Sequence, residues 1–318
     1  MKRSVLAESV LDDGRRLQVV QALDQDAEAL AAVILDAFGN RPKVDPPPPA
    51  LTETPAGVRA ALAAGFGVLA LIDDEPAGAL IVSIDDAVAG IHRVSVRPTF
   101  QRHGVASAMV EVVLEALSVR KVGRVELVAR AEFPQVVAWW QRHGFVEVSR
   151  TGSSLRLARE LALCVRAASA DDTQAFGRRL AGVLRAGDVI IASGELGVGK
   201  TTLTQGIGAG LNVAGAVISP TFVLSRVHRA QGEGPDLVHV DAYRLGSAAE
   251  LDDLDLDASA EDSVTLVEWG TGIAERLASD RLEIDIRRSL DPTDETRWIF
   301  VTGVGPRWSG VLARWEES

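Results

Sequence analysis

Gly194-Glu-Leu-Gly-Val-Gly-Lys-Thr-Thr202 decides how this sequence is divided. The stretch fits G-x-x-x-x-G-K-[ST], a pattern whose glycines let the backbone wrap phosphate oxygens with its N–H groups pointing inward. Lys200 supplies a cation for the β- and γ-phosphates, and the Thr201 hydroxyl is placed to ligate Mg²⁺. LTQGIGAGL follows as a helix whose N-terminal dipole faces the phosphates. Gly206, Gly208 and Gly210 lie inside that helix with no strand before them, so they read as close packing and not as a dinucleotide fingerprint.

Such a loop normally follows the first strands of its domain, yet this one begins at residue 194 of 318. GDVIIAS, residues 187–193, is a β-branched run leading into the loop. Before it, SADDTQAFGRRLAGVL has apolar positions at helical spacing, with Asp171, Asp172 or Thr173 available as an N-cap. LALCVRAA precedes that as a strand. Strand, helix, strand and loop make a complete opening for a domain beginning near Leu161, so residues 1–160 form a separate domain. The expected fold class is two-domain α/β: a mixed-sheet α+β domain over 1–160 and a P-loop α/β sandwich over 161–318.

Nearly half the residues are apolar, enough for a core in each half. The longest apolar run, Ala60–Ile72, is too short to span a bilayer, and the charged N-terminus does not read as a secretory signal. The single cysteine, Cys164, fits a reducing cytoplasm, and the expected location is cytoplasmic with no membrane partner. Residues 1–160 hold 18 Lys+Arg against 20 Asp+Glu, whereas residues 161–318 hold 15 against 24 and carry most of the net −11. The second half is therefore poorly suited to gripping bare nucleic acid, which needs clustered basic residues. The acidic stretch Glu250–Asp262 reads as a solvated helix and loop or as a docking face for a basic partner.

A P-loop also needs an acid at the end of another strand to hold its metal. TLVEWG supplies Glu268 and VHVDAYRL supplies Asp241, while ISPTFVL offers Thr221 where a loop sensing the γ-phosphate would lie. GELGVGKTT, SPTF, DAYRL and LVEW, in that order, resemble the TsaE (YjeE) family of bacterial ATPases of tRNA threonylcarbamoyladenosine synthesis, over about residues 161–318. The resemblance implies Mg-dependent ATP hydrolysis, with Lys200, Asp241 and Glu268 as catalytic residues and Thr201 and Glu268 as metal ligands. Glu195, Leu196, Gly197, Val198, Gly199, Lys200, Thr201, Thr202, Thr221, Trp269 and Arg297 would contact ATP. The implied partners are the family's two companion proteins, which carry the threonylcarbamoyl transfer and through which tRNA is reached. RLEIDIRRSLDPTDETRWIFVTG reads as a late hairpin carrying Arg297. A small-molecule kinase is the rival reading, against which stands the absence of an Arg-bearing lid insertion.

In the first half, GALIVSI and IHRVSV read as adjacent strands, followed by a glycine-containing loop, a helix and the strand VGRVELVAR. Gln101-Arg-His-Gly-Val-Ala106 and the Gly144-Phe145 turn after WWQRH resemble the GCN5-related N-acetyltransferase (GNAT) family. That resemblance implies acetyl-CoA held by Val94, Val96, Arg102, His103, Gly104, Val105 and Ala106. Trp140 stands where many members have a tyrosine that protonates the departing thiolate, and an indole cannot serve as that acid. Two readings stay open: an N-acetyltransferase of unknown acceptor, or a binding or scaffolding module without chemistry. His92 is a candidate general base or a histidine satisfied at a strand surface; His103 and His143 lack metal-ligand spacing. Asp45-Pro-Pro-Pro-Pro49 reads as a stiff surface loop or as the border of a substrate site.

Overall fold

The computed structural model describes residues 3–254, 261–289, 294–308 and 310–316. Part of the acidic stretch and the turn of the late hairpin lie outside the described residues. The chain divides into two compact units, Met1–Leu161 and Ala162–Ser318.

In the first unit eight strands form one sheet: β1 (Val5–Val10), β2 (Arg16–Gln21), β3 (Gly65–Ile72), β4 (Glu75–Asp85), β5 (Val88–Val96), β6 (Arg124–Arg130), β7 (Val146–Thr151) and β8 (Ser154–Glu160). Their order is β1-β2-β3-β4-β5-β6-β8-β7. Alternation along β3 sends side chains to two cores. Val68, Ala70 and Ile72 pack with Met109, Val110 and Val113 of α3 (Val105–Val119). Leu69 and Leu71 pack with Leu30 and Ile34 of α1 (Ala27–Gly39) and Val58 of α2 (Pro55–Ala64). A fourth helix, α4 (Pro134–Arg142), closes the unit against the α3 face through Trp140.

One strand pair in this sheet is parallel. β5 and β6 are joined by α3, the crossover that a parallel pair requires, and they pair only where Val88–Gly90 meets Arg124–Glu126. Beyond Gly90 the ladder stops and a gap opens between them. β5 stays bonded to β4 on its other side, with a register shift between Ala79 and Ile81 and Arg93 at φ 55°. This is a bulge, which bends the strand beside the gap.

The second unit has seven strands: β9 (Leu163–Ala167), β10 (Val189–Ser193), β11 (Ser225–His228), β12 (Asp236–Asp241), β13 (Ser263–Glu268), β14 (Arg281–Arg288) and β15 (Arg297–Val304), in the order β11-β12-β13-β10-β14-β15-β9. β12, β13, β10 and β14 run parallel, while β11, β15 and β9 attach antiparallel at the two edges. β10 is buried on both faces, as a central parallel strand requires. Ile190 and Ala192 pack beneath α5 (Ala170–Ala181) and α6 (Lys200–Gly210); Ile191 packs on the opposite face beside Leu251 of α7 (Ala248–Asp252). A last helix, α8 (Val311–Glu316), sets Trp315 edge-on against Phe176.

The cap of α5 corrects the sequence reading. Ser169, and not Asp171, Asp172 or Thr173, is the N-cap, and its hydroxyl accepts from the Asp172 N–H. The Asp172 carboxylate returns the favour by accepting from the Ala168 N–H at 3.0 Å. Asp171 and Asp172 fall in the first turn, where their charge still complements the helix dipole.

The glycines of α6 are a packing surface. A Cβ at Gly206 would stand 2.3 Å from the Gln174 carbonyl oxygen, and one at Gly210 would stand 2.5 Å from Ala181 Cβ. Gly177 of α5 is equally tight against the Leu203 carbonyl, so the two helices meet backbone to backbone. Gly206→Ala gains about 1 kcal/mol of helix propensity but drives the helices apart. We expect a net loss of about 2 kcal/mol, read as a lower denaturant midpoint of the transition that unfolds this unit. An unchanged midpoint would show that α5 yields freely.

Candidate functional site

β10 ends at Ser193 in the middle of the sheet, and the loop 194–199 turns over its end into α6. Three glycines make that turn possible: Gly194, Gly197 and Gly199 have φ of 130°, 70° and 115°, which side chains with a Cβ rarely adopt. Gly194 also lies so close to Ile286 that a Cβ would stand 2.3 Å from its carbonyl oxygen. Val198 points into the core, and its N–H donates to the Glu195 carbonyl. Glu195, Leu196 and Gly197 form the exposed crest, with Leu196 76% exposed. Two arginines fasten this arc, one from the adjacent β14 and one from β15 beyond it. Arg288 Nη2 donates to the Leu196 carbonyl and Arg297 Nε to the Val198 carbonyl, each at 3.0 Å.

Lys200 is nearly buried, and its ammonium donates to the carbonyls of Gly194 and Glu195 at 2.8 and 2.9 Å. It also sits 3.8 Å from the centre of the Trp269 ring. Burial lowers the lysine pKa, and the opposing attraction of Glu268 and Asp241 limits the shift. Trp269 itself has φ 61° and is pinned by its N–H to the Ala192 carbonyl, which sets its indole beside the loop. Tyr243 meets the same ring edge-on.

The acid partners come from neighbouring strands in register. β10 pairs Ala192 with Glu268, and β12 pairs Asp241 with Glu268, so both carboxylates stand at the C-terminal ends of the parallel strands beside the loop. Thr201 Oγ1 donates to Glu268 Oε1 at 2.9 Å. Asp241 accepts from Thr221 Oγ1 at 2.5 Å and from the Tyr243 N–H at 3.1 Å. Thr221 is thereby held at the site, while Phe222 beside it is 91% exposed. Arg244 Nη2 donates to the Thr221 carbonyl.

His239, which the sequence reading passed over, completes the group. It is fully buried on β12, and its Nε2 lies 2.8 Å from the same Glu268 oxygen that Thr201 reaches. Its signal in the sequence was its place two residues before Asp241, which puts it on the same side of β12. Two donors on Oε1 leave Oε2 of a buried carboxylate to turn elsewhere. Among the described residues no group of three or more His, Cys, Asp and Glu could hold a metal ion. The donor set on offer is instead the Thr201 hydroxyl with Glu268. That is the small protein share expected where Mg²⁺ keeps waters and phosphate oxygens as its other ligands.

The first unit presents a different site. Gly104, at φ 74°, caps α3, and a Cβ there would meet nothing within 4 Å. Arg102 before it has φ 67°. The first N–H groups of α3 have no intrahelical acceptor, and Gly104 supplies no side-chain cap, the arrangement that receives an anion. Val105 is buried, so only its backbone is available there, whereas Arg102 and Ala106 lie nearer the surface. His103 Nε2 lies 3.3 Å from Arg15, and His143 is engaged by Ser107 Oγ and the Trp139 carbonyl. Trp140 is 5% exposed and edge-on to Phe145, a core residue. His92 Nε2 is 2.8 Å from Ser83 Oγ across the strand pair, and its pKa is lowered by burial and by Arg93.

The family described as threonylcarbamoyl adenosine biosynthesis protein TsaE matches residues 167–297, and the acetyltransferase (GNAT) family matches residues 35–145. A TsaE protein of Streptomyces coelicolor is 61% identical over 42% of this chain and 92% of its own length. The chain belongs to the TsaE family. A TsaE protein of Mycobacterium tuberculosis is 50% identical over 37% of this chain and 74% of its own. The GNAT domain of S. lividans PAT covers 49% of this chain and 96% of its own at 20% identity, with a TM-score of 0.42. The TsaE match spans β10, the phosphate-type loop, the Thr221 segment and the ends of β12 and β13; the GNAT fold is the first unit's.

The Glu268 group of this TsaE-family unit yields a prediction. His239→Leu removes a donor from a buried carboxylate and should cost about 2 kcal/mol of stability, whereas His239→Gln, which keeps a donor, should cost less. Equilibrium denaturation separates the two; equal costs would mean that His239 matters only for its volume.

Proposed function

We propose that residues 162–318 bind and hydrolyse ATP with Mg²⁺ in support of threonylcarbamoyladenosine formation in tRNA. The hydrogen bond between Thr201 and Glu268 carries this reading, because it joins the hydroxyl of the loop to the strand-end acid that a P-loop metal requires. Membership in the TsaE family supplies the pathway. The backbone of Glu195–Thr202 would wrap the phosphates. Lys200, now bonded to loop carbonyls, would give its charge to phosphate oxygens. Thr201 and Glu268 would hold the metal, which when bound draws charge from the phosphoryl group being transferred. Asp241 would carry the Thr221 segment against the nucleotide, Trp269 would flank it, and Arg297 would keep the loop in shape from behind.

The second half is acidic, so tRNA would be reached through the family's two companion proteins, which carry the transfer itself. No helix among the described residues is long and apolar enough to cross a membrane, in keeping with a cytoplasmic setting. The first unit would bind acetyl-CoA, with the pyrophosphate on the N–H groups of Arg102–Ala106 and the remainder along Val94 and Val96. With Trp140 in the core, the proton taken by the departing thiolate would come from water or another residue. That burial equally favours the second reading, a binding module that keeps the cofactor cleft without turnover.

Lys200→Ala and Glu268→Ala should each lower ATP turnover by about a hundredfold or more with the fold retained by circular dichroism; wild-type turnover in either sinks the assignment. For the first unit, acetyl-CoA titrated calorimetrically into the full chain should bind at micromolar levels. Gly104→Val, which puts a β-branched residue at φ 74°, should abolish that binding. Silence at millimolar ligand in the wild type would leave the unit without a cofactor.

A further inference from the structure

The segment between α1 and α2 crosses the mouth of the gap between β5 and β6. At one end Glu53 pairs with Arg93 of the β5 bulge at 2.7 Å. Further along, Arg130 at the end of β6 donates to the carbonyls of Asp45 and Pro46 in the proline run. Arg41, where the segment begins, reaches β5 itself: its Nη2 donates to the Val94 carbonyl at 3.3 Å, and its guanidinium stacks 4.0 Å from the Phe38 ring.

The position of that carbonyl locates the guanidinium. The Arg97 N–H donates to Ala77 on β4 and Ser95 pairs with Ala79. Backbone groups alternate sides along a strand, so the carbonyls of Val94 and Val96 point away from β4, into the gap. Gln101 takes the second and Arg41 the first.

Among the described residues no carboxylate lies within ion-pair distance of Arg41. Three acids of the surrounding elements are paired elsewhere: Glu53 with Arg93, Glu132 with Arg130, and Asp36 with Asn40 and Arg97. Burial lowers the Arg41 pKa, and no nearby acid opposes it. A half-buried cation with one carbonyl and one ring for company has most of its five N–H donors unspent, and a planar carboxylate matches them two at a time.

We infer that the gap binds a ligand bearing a carboxylate, held by Arg41. Resting on the proposed acetyl-CoA cleft, that ligand is the acyl acceptor, an amino acid or the free C-terminus of a short peptide that also offers an amine. In the transfer, the amine nitrogen forms a C–N bond to the acetyl carbon as the thioester C–S bond breaks. The nitrogen gives up one proton and the departing thiolate takes one.

The full-length protein is titrated by calorimetry with the twenty amino acids, with dialanine, and with the C-terminal amides of those that bind. At least one acid should bind at least tenfold more tightly than its amide, and the free amino acids against dialanine separate the two sources. Arg41→Gln should erase the difference between acid and amide, and Arg41→Lys should restore part of it. Amides that bind as well as acids overturn the inference without any variant. So does Arg41→Gln still preferring the acid, or the absence of binding by every acid at 10 mM, on the order of the weakest useful affinity. A separate titration with acetyl-CoA keeps the cofactor reading apart: carboxylate binding without acetyl-CoA binding defeats only the transfer step.

Discussion

The hydrogen bond from Thr201 to Glu268 joins two places 67 residues apart in the chain, and the second unit is arranged to make it. β10 must lie at the centre of the sheet so that its loop opens beside a neighbour's C-terminal end. β13 must run parallel to it, because an antiparallel neighbour would bring its N-terminal end there. The register Ala192–Glu268 then fixes how far the acid projects. A parallel centre buried on both faces demands largely apolar strands such as VIIAS and SVTLVE, at whose C-terminal ends Ser193 and Glu268 stand. The polarity of those ends is the chemistry of the site.

Around that bond the unit is held by groups that would be costly to bury alone. Glu268 and His239 are both buried and bonded through Nε2, while His239 Nδ1 has no partner among the described residues; Lys200 is nearly buried and is met by loop carbonyls and the Trp269 ring. Arg288 of β14 and Arg297 of β15 donate to the Leu196 and Val198 carbonyls of the loop. In the first unit the organising constraint is opposite in kind, a ladder that stops. β5 and β6 pair over three residues and then part, so backbone carbonyls that a continuous sheet would consume are left to Arg41 and Gln101.

Much of this was legible in the order of residues. The positive-φ glycines of residues 194–199, the helix after them, and acids at the ends of two apolar runs follow from local patterns, because turns and strands are chosen within a few residues. The packing role of Gly206 was legible for the same reason, since a glycine inside a helix without a turn to make usually admits another backbone. The cap of α5 was misread by two to four residues. Ser, Asp, Asp and Thr all suit a cap, and only the extended backbone at Ser169 selects among them.

The sequence by itself determined the two units, the phosphate-type loop with its lysine and threonine, and the acids at the ends of β12 and β13. Each rests on periodicity or on backbone conformations that only certain residues adopt. Tertiary structure alone decided that Thr201 and His239 share one oxygen of Glu268, that Arg288 and Arg297 brace the loop, and that Arg41 faces the gap with no ion-pair partner among the described residues. Those relations join residues tens of positions apart, and strand order, register and the stopping of one ladder set them. A single sequence does not state these choices, because many registers would satisfy the same alternation of apolar and polar side chains.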